Sequence, residues 1–153
     1  MSNQSLEGIH NERKAEITYR HGVAVARSYG SVSNEYTALR SGAGIIDLGW
    51  FDVLEFVGDD HVEFLQNMIS NDVSTLVEGN GCRSAVLTVQ GKLVGDIVAL
   101  KQSDRITMLV DGHRHAEVSA HLDTYLIADD VEIVDRTQDM GIIGISGPHA
   151  SDS

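Results

Sequence analysis

The 153-residue sequence has little of what disulfide-rich, metal-binding and nucleic-acid-binding proteins use. Cys82 is its only cysteine, so the chain can form neither an intrachain disulfide nor a cysteine metal cage. It has 11 lysines and arginines, which form no cluster, against 23 aspartates and glutamates. Because the resulting net charge is −12, we expect no nucleic-acid partner and no anionic membrane surface as partner.

Long apolar runs are also absent. No run approaches the length of a transmembrane helix, and the polar N-terminus lacks the apolar core of a signal peptide. Hydrophobic residues nevertheless make up 42% of the sequence and charged residues 22%, a composition typical of a globular domain with its own core. We therefore expect a cytoplasmic protein.

A strand–turn–strand motif in the middle of the chain organises the rest. Residues 86–89 and 93–101 have the composition of two strands. Residues 90–92 between them predict a short hairpin turn, in which Gly91 takes a positive φ.

Asp96 is the candidate functional carboxylate of this hairpin. Because side chains alternate along a strand, Asp96 shares a face with Val94 and Val98, while Gly95 lies on the other face. A carboxylate among apolar neighbours is costly unless a partner binds it. Asp96 is therefore either an aspartate at a strand end, bonded to a neighbouring loop, or a carboxylate held in a cleft for a polar, proton-bearing ligand.

The hydrophobic periodicity predicts an α+β fold. From residue 51 to residue 135 the predicted order is β-α-β-β-β-α-β, near the ferredoxin-like arrangement. Helices are expected to begin at an N-cap Ser33, at a capping box formed by Asp60 and Glu63, and at Arg114, the last of them running to Ile127. Further strands are expected at residues 23–26, 44–48 and 140–146.

Two other polar pairs have plain structural explanations. Asn71 and Asp72 fall at a predicted helix-to-loop corner, where turn hydrogen bonds alone account for them. Cys82 precedes Arg83, which is compatible with a lowered thiol pKa. We nevertheless expect a buried, inert cysteine, because the sequence identifies no histidine positioned beside it.

Seven histidines invite a metal-site interpretation. His113 and His115 are two residues apart, and His121 follows six residues later, which is not the one-face spacing of a helix-borne zinc site. No carboxylate accompanies them at a recognised spacing. We expect exposed or capping histidines and no metal.

Several segments, taken in order, resemble the glycine-cleavage T-protein (aminomethyltransferase) superfamily. The resemblance runs from about Val23 to the last residue. The segments that establish it are residues 39–48 (LRSGAGIIDL), 56–60 (FVGDD), 64–66 (FLQ), 70–76 (SNDVSTL), 91–98 (GKLVGDIV) and 145–150 (ISGPHA).

The resemblance implies a tetrahydrofolate-binding protein. Asp96 matches the catalytic aspartate, which would lie near N10 of the cofactor and assist attack by N5 on a one-carbon fragment. The fragment would come from a small amine or from a lipoyl carrier protein. The resemblance also implies contacts with the cofactor from the hairpin and its surroundings, at Asn71, Asp72, Arg83, Val94 and Asp111.

Three positions depart from the T-protein pattern. Gly95 replaces the first of two adjacent aspartates, and the form Gly-Lys-x-x-x-Asp is more similar to the iron–sulfur-associated folate-binding branch. Arg83 replaces a tyrosine, and Asp111 an asparagine. These departures leave two alternatives open: a non-catalytic folate-binding accessory protein of iron–sulfur cluster assembly, or an interaction module that has lost the pocket.

The sequence has about half the family's length. We expect a polar N-terminal arm at residues 1–22, the start of a first T-protein domain at 23–49, a ferredoxin-like folate-binding subdomain at 50–136, and a return strand to the first domain at 137–153. Since the first domain would be incomplete, its apolar pieces need cover. We expect a homo-oligomer or association with a missing C-terminal half, and the chain alone is expected to be inactive.

Overall fold

The computed structural model describes residues 6–152, which form two compact units. Unit 1 contains the described residues up to Trp50 and those from Gln138 onwards, and unit 2 is Phe51–Thr137. In chain order the elements are α1 (Glu7–Glu12), β1 (Glu16–Arg20), β2 (Val23–Ser28), α2 (Val32–Ser41), β3 (Gly44–Asp47), β4 (Phe51–Val57), α3 (His61–Met68), β5 (Gly81–Leu87), β6 (Leu93–Lys101), β7 (Arg105–Asp111), α4 (His115–Asp123), β8 (Glu132–Asp135) and β9 (Ile143–Ser146).

Unit 2 is a five-stranded antiparallel sheet with two helices. Its strand order is β5-β6-β7-β4-β8, and every neighbouring pair is antiparallel. The chain order β4-α3-β5-β6-β7-α4-β8 confirms the predicted α+β sequence of elements. The narrower ferredoxin-like assignment is not confirmed, because that arrangement has the order β-α-β-β-α-β and this unit contains one strand more.

The core of unit 2 lies between one face of the sheet and the helices. Phe64 and Leu65 of α3 and Val118 and Leu122 of α4 are buried there. Their spacing of one and four residues presents one apolar stripe per helix. The strands contribute the largest fully buried side chains of this core, among them Leu54, Phe56, Ile97, Ile106 and Met108.

Unit 1 is built from two small antiparallel ribbons. β1 pairs with β2 through a two-residue turn in which His21 and Gly22 both have positive φ, 49° and 82°. Such a turn matches the right-handed twist of the strands that it joins. β3 pairs with β9, so that Gly44 lies opposite Ser146 near the other end of the chain.

The structure corrects several local predictions. The polar arm is not without structure, since α1 and β1 lie within it; its first five residues, like Ser153, lie outside the described residues. Helix α2 is capped by Ser31, whose side chain accepts from the Asn34 N–H, rather than by Ser33. The helix near Arg114 ends at Asp123 and not at Ile127.

The predicted capping box at α3 is wrong. Asp60 occupies the N-cap position but its side chain makes no capping hydrogen bond. Its Oδ2 accepts instead from the Asp130 N–H at 2.8 Å. The bond to Asp130, 70 residues away, orients the carboxylate away from the first turn of its own helix, and sequence spacing does not reveal such a distant partner.

Candidate functional site

The β5–β6 hairpin places Arg83 and Asp96 on the same face of the sheet. Ala85 is paired with Asp96 and Arg83 with Val98, which makes Arg83 and Asp96 diagonal neighbours on adjacent strands. The hairpin closes where Thr88 donates its N–H to the Lys92 carbonyl at 2.8 Å. Gly91 has φ +78°, which confirms the predicted left-handed turn position. The first strand, however, spans residues 81–87 and not the predicted residues 86–89.

Arg83 holds Asp96 through a two-point hydrogen bond. Arg83 Nε donates to Asp96 Oδ1 at 3.1 Å and Arg83 Nη2 donates to Oδ2 at 2.6 Å. The side chains remain accessible, Arg83 being 76% exposed and Asp96 41% exposed. The fork of a guanidinium fixes the plane and orientation of the carboxylate. Asp96 is therefore bonded to a neighbouring strand, not to a loop.

The ion pair sets the charge state of Asp96. Hydrogen bonds from Arg83 hold the pKa of the Asp96 carboxyl below its ordinary value, against a smaller opposing effect of burial. The Asp96 hydrogen bond, its charge and that of Asp111 raise the pKa of Arg83. At neutral pH Asp96 is a carboxylate that accepts hydrogen bonds, and it has no proton to donate.

Asp111 belongs to the same charged group. It ends β7 and is paired with Phe51, the first residue of β4. Ile97 of β6 pairs with Val110 of β7, so Asp96 and Asp111 lie at the same end of that pair on adjacent strands, and both carboxylates act to raise the pKa of Arg83. The structure thus brings together three of the predicted site residues, Arg83, Asp96 and Asp111.

Val94 lies in the core instead of beside Asp96. The register shifts so that Val86 pairs with Gly95 and Leu87 with Leu93, which leaves Val94 as the extra residue of a β-bulge. Val94 is 5% exposed and packs within the core of unit 2. The prediction that Val94 and Asp96 share a face is therefore wrong, because strict alternation ends at the bulge.

Gly95 has a packing role that explains why it carries no side chain. A Cβ at this position would lie 2.6 Å from Val118 Cγ2, closer than side-chain carbon atoms approach. Ile97 Cγ2 and Val110 Cγ1 lie 3.6 and 3.8 Å from the same point. An aspartate here would enter an apolar core, on the face opposite Asp96, and would therefore not place a second carboxylate beside Asp96.

Asn71 and Asp72 form a corner that supports β5. The Asn71 N–H donates to Ser84 Oγ at 2.9 Å and its side-chain amide donates to the Arg83 carbonyl at 3.1 Å. Asp72 Oδ1 accepts from the N–H and the hydroxyl of Ser74, at 2.8 and 2.7 Å. The Ser74 hydroxyl bond is the largest of the effects that lower the pKa of Asp72. These are local turn hydrogen bonds, and Asn71 in addition fixes the backbone that presents Arg83.

Cys82 is a poor nucleophile in this setting. Burial raises the pKa of its thiol, and the negative charge of Asp72 raises it further. The neighbouring Arg83 directs its charge to Asp96. The expectation of an inert cysteine agrees with this electrostatic setting, although the side chain is only partly buried.

The histidines are less exposed than the sequence led us to expect. His10 is only 1% exposed, and it hydrogen-bonds Tyr29 and Asp47. In unit 2, Nδ1 of His113 and of His115 lie 2.9 and 2.8 Å from the fully buried Asp52. Neither cluster has a local sequence signal, because the partners are separated by 19 to 63 residues. Within residues 6–152, no group of three or more His, Cys, Asp or Glu side chains is arranged to hold a metal.

No helix in the described part of the chain has the length and apolarity of a membrane span.

Known proteins provide a more specific comparison. The model of the GCVT N-terminal domain family matches residues 6–153. Similar proteins include an aminomethyltransferase of Rubrobacter xylanophilus, 30% identical over 122 residues, which cover 80% of this chain and 33% of that protein. An aminomethyltransferase of Flavobacterium psychrophilum is 26% identical over 158 aligned residues, which cover 100% of this chain and 42% of that protein.

The fold is also found among solved structures. The crystal structure of glycine cleavage system aminomethyltransferase T from Bartonella henselae superposes with a TM-score of 0.84 at 18% identity. The match covers 99% of this chain and 42% of that chain. The chain therefore spans between a third and somewhat under a half of the length of these relatives.

Proposed function

The chain belongs to the GCVT N-terminal domain family, and we propose on that premise that it binds tetrahydrofolate at the β5–β6 hairpin. As part of an aminomethyltransferase-like protein, it would serve the transfer of a one-carbon unit from a small amine or a lipoyl-bound donor to tetrahydrofolate. We propose the cytoplasm as its compartment, on the sequence grounds given above.

Asp96 is the observation that supports this proposal. The family resemblance assigns the catalytic carboxylate to this position, and the structure holds it ionised and 41% exposed on the sheet face opposite the core. Each carboxylate oxygen has two lone pairs, and Arg83 uses one on each. Asp96 therefore retains acceptor positions for ligand N–H groups without losing the ion pair, so the residues present fit the cofactor.

Each residue of the site has a distinct role towards the bound cofactor. Tetrahydrofolate supplies the nucleophilic nitrogen. Asp96 orients that part of the ligand by accepting hydrogen bonds, and its negative charge stabilises positive charge that develops nearby. Arg83 keeps Asp96 in its orientation and offers a cation for the anionic groups of the ligand. Asn71 steadies the Arg83 backbone.

A thermal melt with excess tetrahydrofolate tests the proposal. Ligand at about 100 times its Kd stabilises a native protein by about 2.7 kcal/mol. For a chain of this size that corresponds to a rise in Tm of about 5–10 °C. Asp96→Asn should remove most of the shift. The matched control is Asp104→Asn, because Asp104 is also an exposed aspartate held by two bonds from an arginine, Arg105, and it should leave the shift unchanged. A folded wild-type protein with no shift would contradict folate binding.

A non-catalytic folate-binding role in iron–sulfur cluster assembly is the second candidate. It is favoured by Gly95, which leaves the hairpin with one carboxylate, and by Arg83, whose charge already neutralises that carboxylate. This role predicts a folate-dependent melting shift without methylene transfer from a lipoyl carrier, when the remaining length of a T-protein is supplied in trans. Transfer that depends on Asp96 would reject it.

We also propose that the chain associates, with a second copy or with a C-terminal half of the family. The chain spans only 33–42% of its relatives' length. Unit 2 exposes large apolar side chains at Leu87, Val89, Leu93 and Ile127, between 39% and 89% of each. Light scattering on the purified chain measures this directly, and a stable monomer that ignores an added C-terminal half contradicts it.

A further inference from the structure

Unit 1 contains a polar cluster that the proposed function does not use. His10 is 1% exposed and lies between two partners. Its Nε2 is 2.7 Å from Asp47 Oδ2 and its Nδ1 is 2.7 Å from the Tyr29 hydroxyl. The other Asp47 oxygen accepts the Gly49 N–H at 2.8 Å. The cluster is thus fully hydrogen-bonded and fixed in orientation.

The hydrogen bonds determine what Tyr29 can offer to a ligand. Neutral histidine has one N–H, and the Asp47 carboxylate can only accept, so the His10 Nε2–H donates to Asp47. In neutral His10, Nδ1 is then an acceptor and the Tyr29 hydroxyl donates to it. With its proton committed, the Tyr29 oxygen presents acceptor lone pairs, and Tyr29 is 48% exposed.

Charged groups of both signs act on the Tyr29 hydroxyl. Burial, Asp47 and Glu35 raise the pKa of Tyr29, while Arg13 acts in the opposite direction. The hydroxyl therefore stays protonated at neutral pH and does not act as a nucleophile. The two carboxylates favour a cationic donor at this oxygen, and Arg13 favours an anion on its own side.

His10, Arg13, Tyr29 and Asp47 line a cavity of about 620 Å³, which falls in the size range of small-molecule sites. Arg13 is the only lysine or arginine among its described lining residues. The walls are apolar and unusually exposed: Ile9 is 52%, Ile143 55% and Ile45 74% accessible. Ile45 and Ile143 lie on one face of the β3–β9 ribbon, the face that also presents Asp47.

We propose that this cavity binds a free α-amino acid with an apolar side chain. Its carboxylate pairs with Arg13. Its ammonium group donates to the Tyr29 oxygen. Its side chain packs against Ile9, Ile45 and Ile143. The arrangement matches a zwitterion with an apolar tail, and each of the three parts has a separate recognition element. The site goes beyond the proposed folate site and is independent of it.

Titration calorimetry on the full chain with L-leucine as the probe tests the inference. We expect a Kd on the order of 0.1 mM, since so small a ligand has few atoms to contribute affinity. 4-Methylpentanoate lacks the ammonium group and leucinol lacks the carboxylate. Each should bind at least about tenfold more weakly than leucine, because 4-methylpentanoate leaves the Tyr29 oxygen without its donor and leucinol leaves Arg13 without its anion.

Variants locate the binding to this cavity. Arg13→Gln and Tyr29→Phe should each weaken leucine binding about tenfold or more. Arg40→Gln is the matched control, because Arg40 is an exposed arginine in the last turn of α2 that does not line the cavity, and it should bind leucine as wild type does. Circular dichroism checks that each variant is folded, and the ligand series on the wild-type chain stands even if a variant is not.

Three results would overturn the inference. The first is no heat of binding with leucine at ten times the expected Kd. The second is 4-methylpentanoate binding as tightly as leucine, which would mean an apolar cavity without amino-acid recognition. The third is leucine binding unchanged in both folded variants. Asp96→Asn, which tests the folate proposal, should leave leucine binding unaltered, so the two proposals can fail separately.

Discussion

Replacement of Gly95 offers the sharpest test of how the hairpin is built. Four variants are needed: Gly95→Ala, Gly95→Asp, Val118→Ala, and Gly95→Ala combined with Val118→Ala. The added Cβ would lie 2.6 Å from Val118 Cγ2, and valine cannot rotate away easily because its χ1 is stiff. Gly95→Asp places in addition a carboxylate among Val118, Ile97 and Val110.

The expected magnitudes follow from this geometry. Overpacking of this kind costs about 1–3 kcal/mol. Replacing glycine also lowers the conformational entropy of the unfolded chain, which stabilises the folded state by about 0.5–1 kcal/mol. Gly95→Ala should therefore lower the free energy of unfolding by about 0.5–2 kcal/mol. Val118→Ala removes two methyl-sized groups and leaves a cavity, at a cost of about 2 kcal/mol. The double variant should be about 1 kcal/mol more stable than the sum of the two, because the new methyl occupies the vacated space. Gly95→Asp should cost several kcal/mol more than Gly95→Ala, because its charge has no partner there.

Urea unfolding followed by circular dichroism measures these differences. Gly8→Ala is the control, since a Cβ on Gly8 meets nothing within 4 Å and alanine favours the helix. Additive single-variant effects, or a Gly95→Asp protein of wild-type stability, would refute the assignment of Gly95 to the core face. The same result would reopen the possibility of a second carboxylate on the hairpin.

Three further predictions concern charge and capping. Because the Asp96 pKa is lowered in the folded state, its contribution to stability is present above the unfolded pKa of about 3.9 and is lost as the pH falls through the folded value. Asp96→Asn should therefore be less stable than wild type at pH 7, with a difference that narrows as the pH falls below about 3.9, and a difference that stays constant with pH would contradict the ion pair. Cys82 should react slowly with iodoacetamide at pH 7.5 and faster in Asp72→Asn, whereas an unchanged rate would exclude the influence of Asp72 on the thiol. Ser31→Ala should cost about 1 kcal/mol in thermal unfolding while Ser33→Ala costs less than about 0.5 kcal/mol, and the reverse order would restore Ser33 as the cap.

The sequence predicts unit 2 well because its strands and helices have clear periods. β4 begins at residue 51 as predicted, and the order of seven elements is as expected. The predictions fail where contacts with residues distant in sequence determine the local structure. Val94 leaves its expected face because of a bulge whose register depends on the partner strand. The Asp60 carboxylate accepts a hydrogen bond from the Asp130 N–H instead of capping its own helix. Helix α1 is polar along its sequence, yet it buries His10 against partners that come 19 and 37 residues later.

The candidate site was foreseeable in its position but not in its electrostatics. Alternation and resemblance point to Asp96, while the pairing with Arg83 requires the strand register, which only the fold supplies. Roles for Asn71, Asp72, Arg83, Val94 and Asp111 in cofactor binding remain predictions. The structure shows Val94 buried and Asp72 engaged in its own turn, so among these five we expect Arg83 and Asp111 to matter most to a ligand.

The pairing of β3 with β9 has a consequence for biosynthesis. Unit 2 is continuous in sequence and is nested inside unit 1, whose two parts precede and follow it. On the ribosome, the five-stranded sheet is complete once β8 has emerged, when β3 still lacks its only strand partner among the described residues. Unit 2 can therefore fold during synthesis, whereas β3 can pair only after β9 has been synthesised. Folding of unit 2 shortens the effective loop between β3 and β9, which lowers the entropy cost of bringing these two strands together.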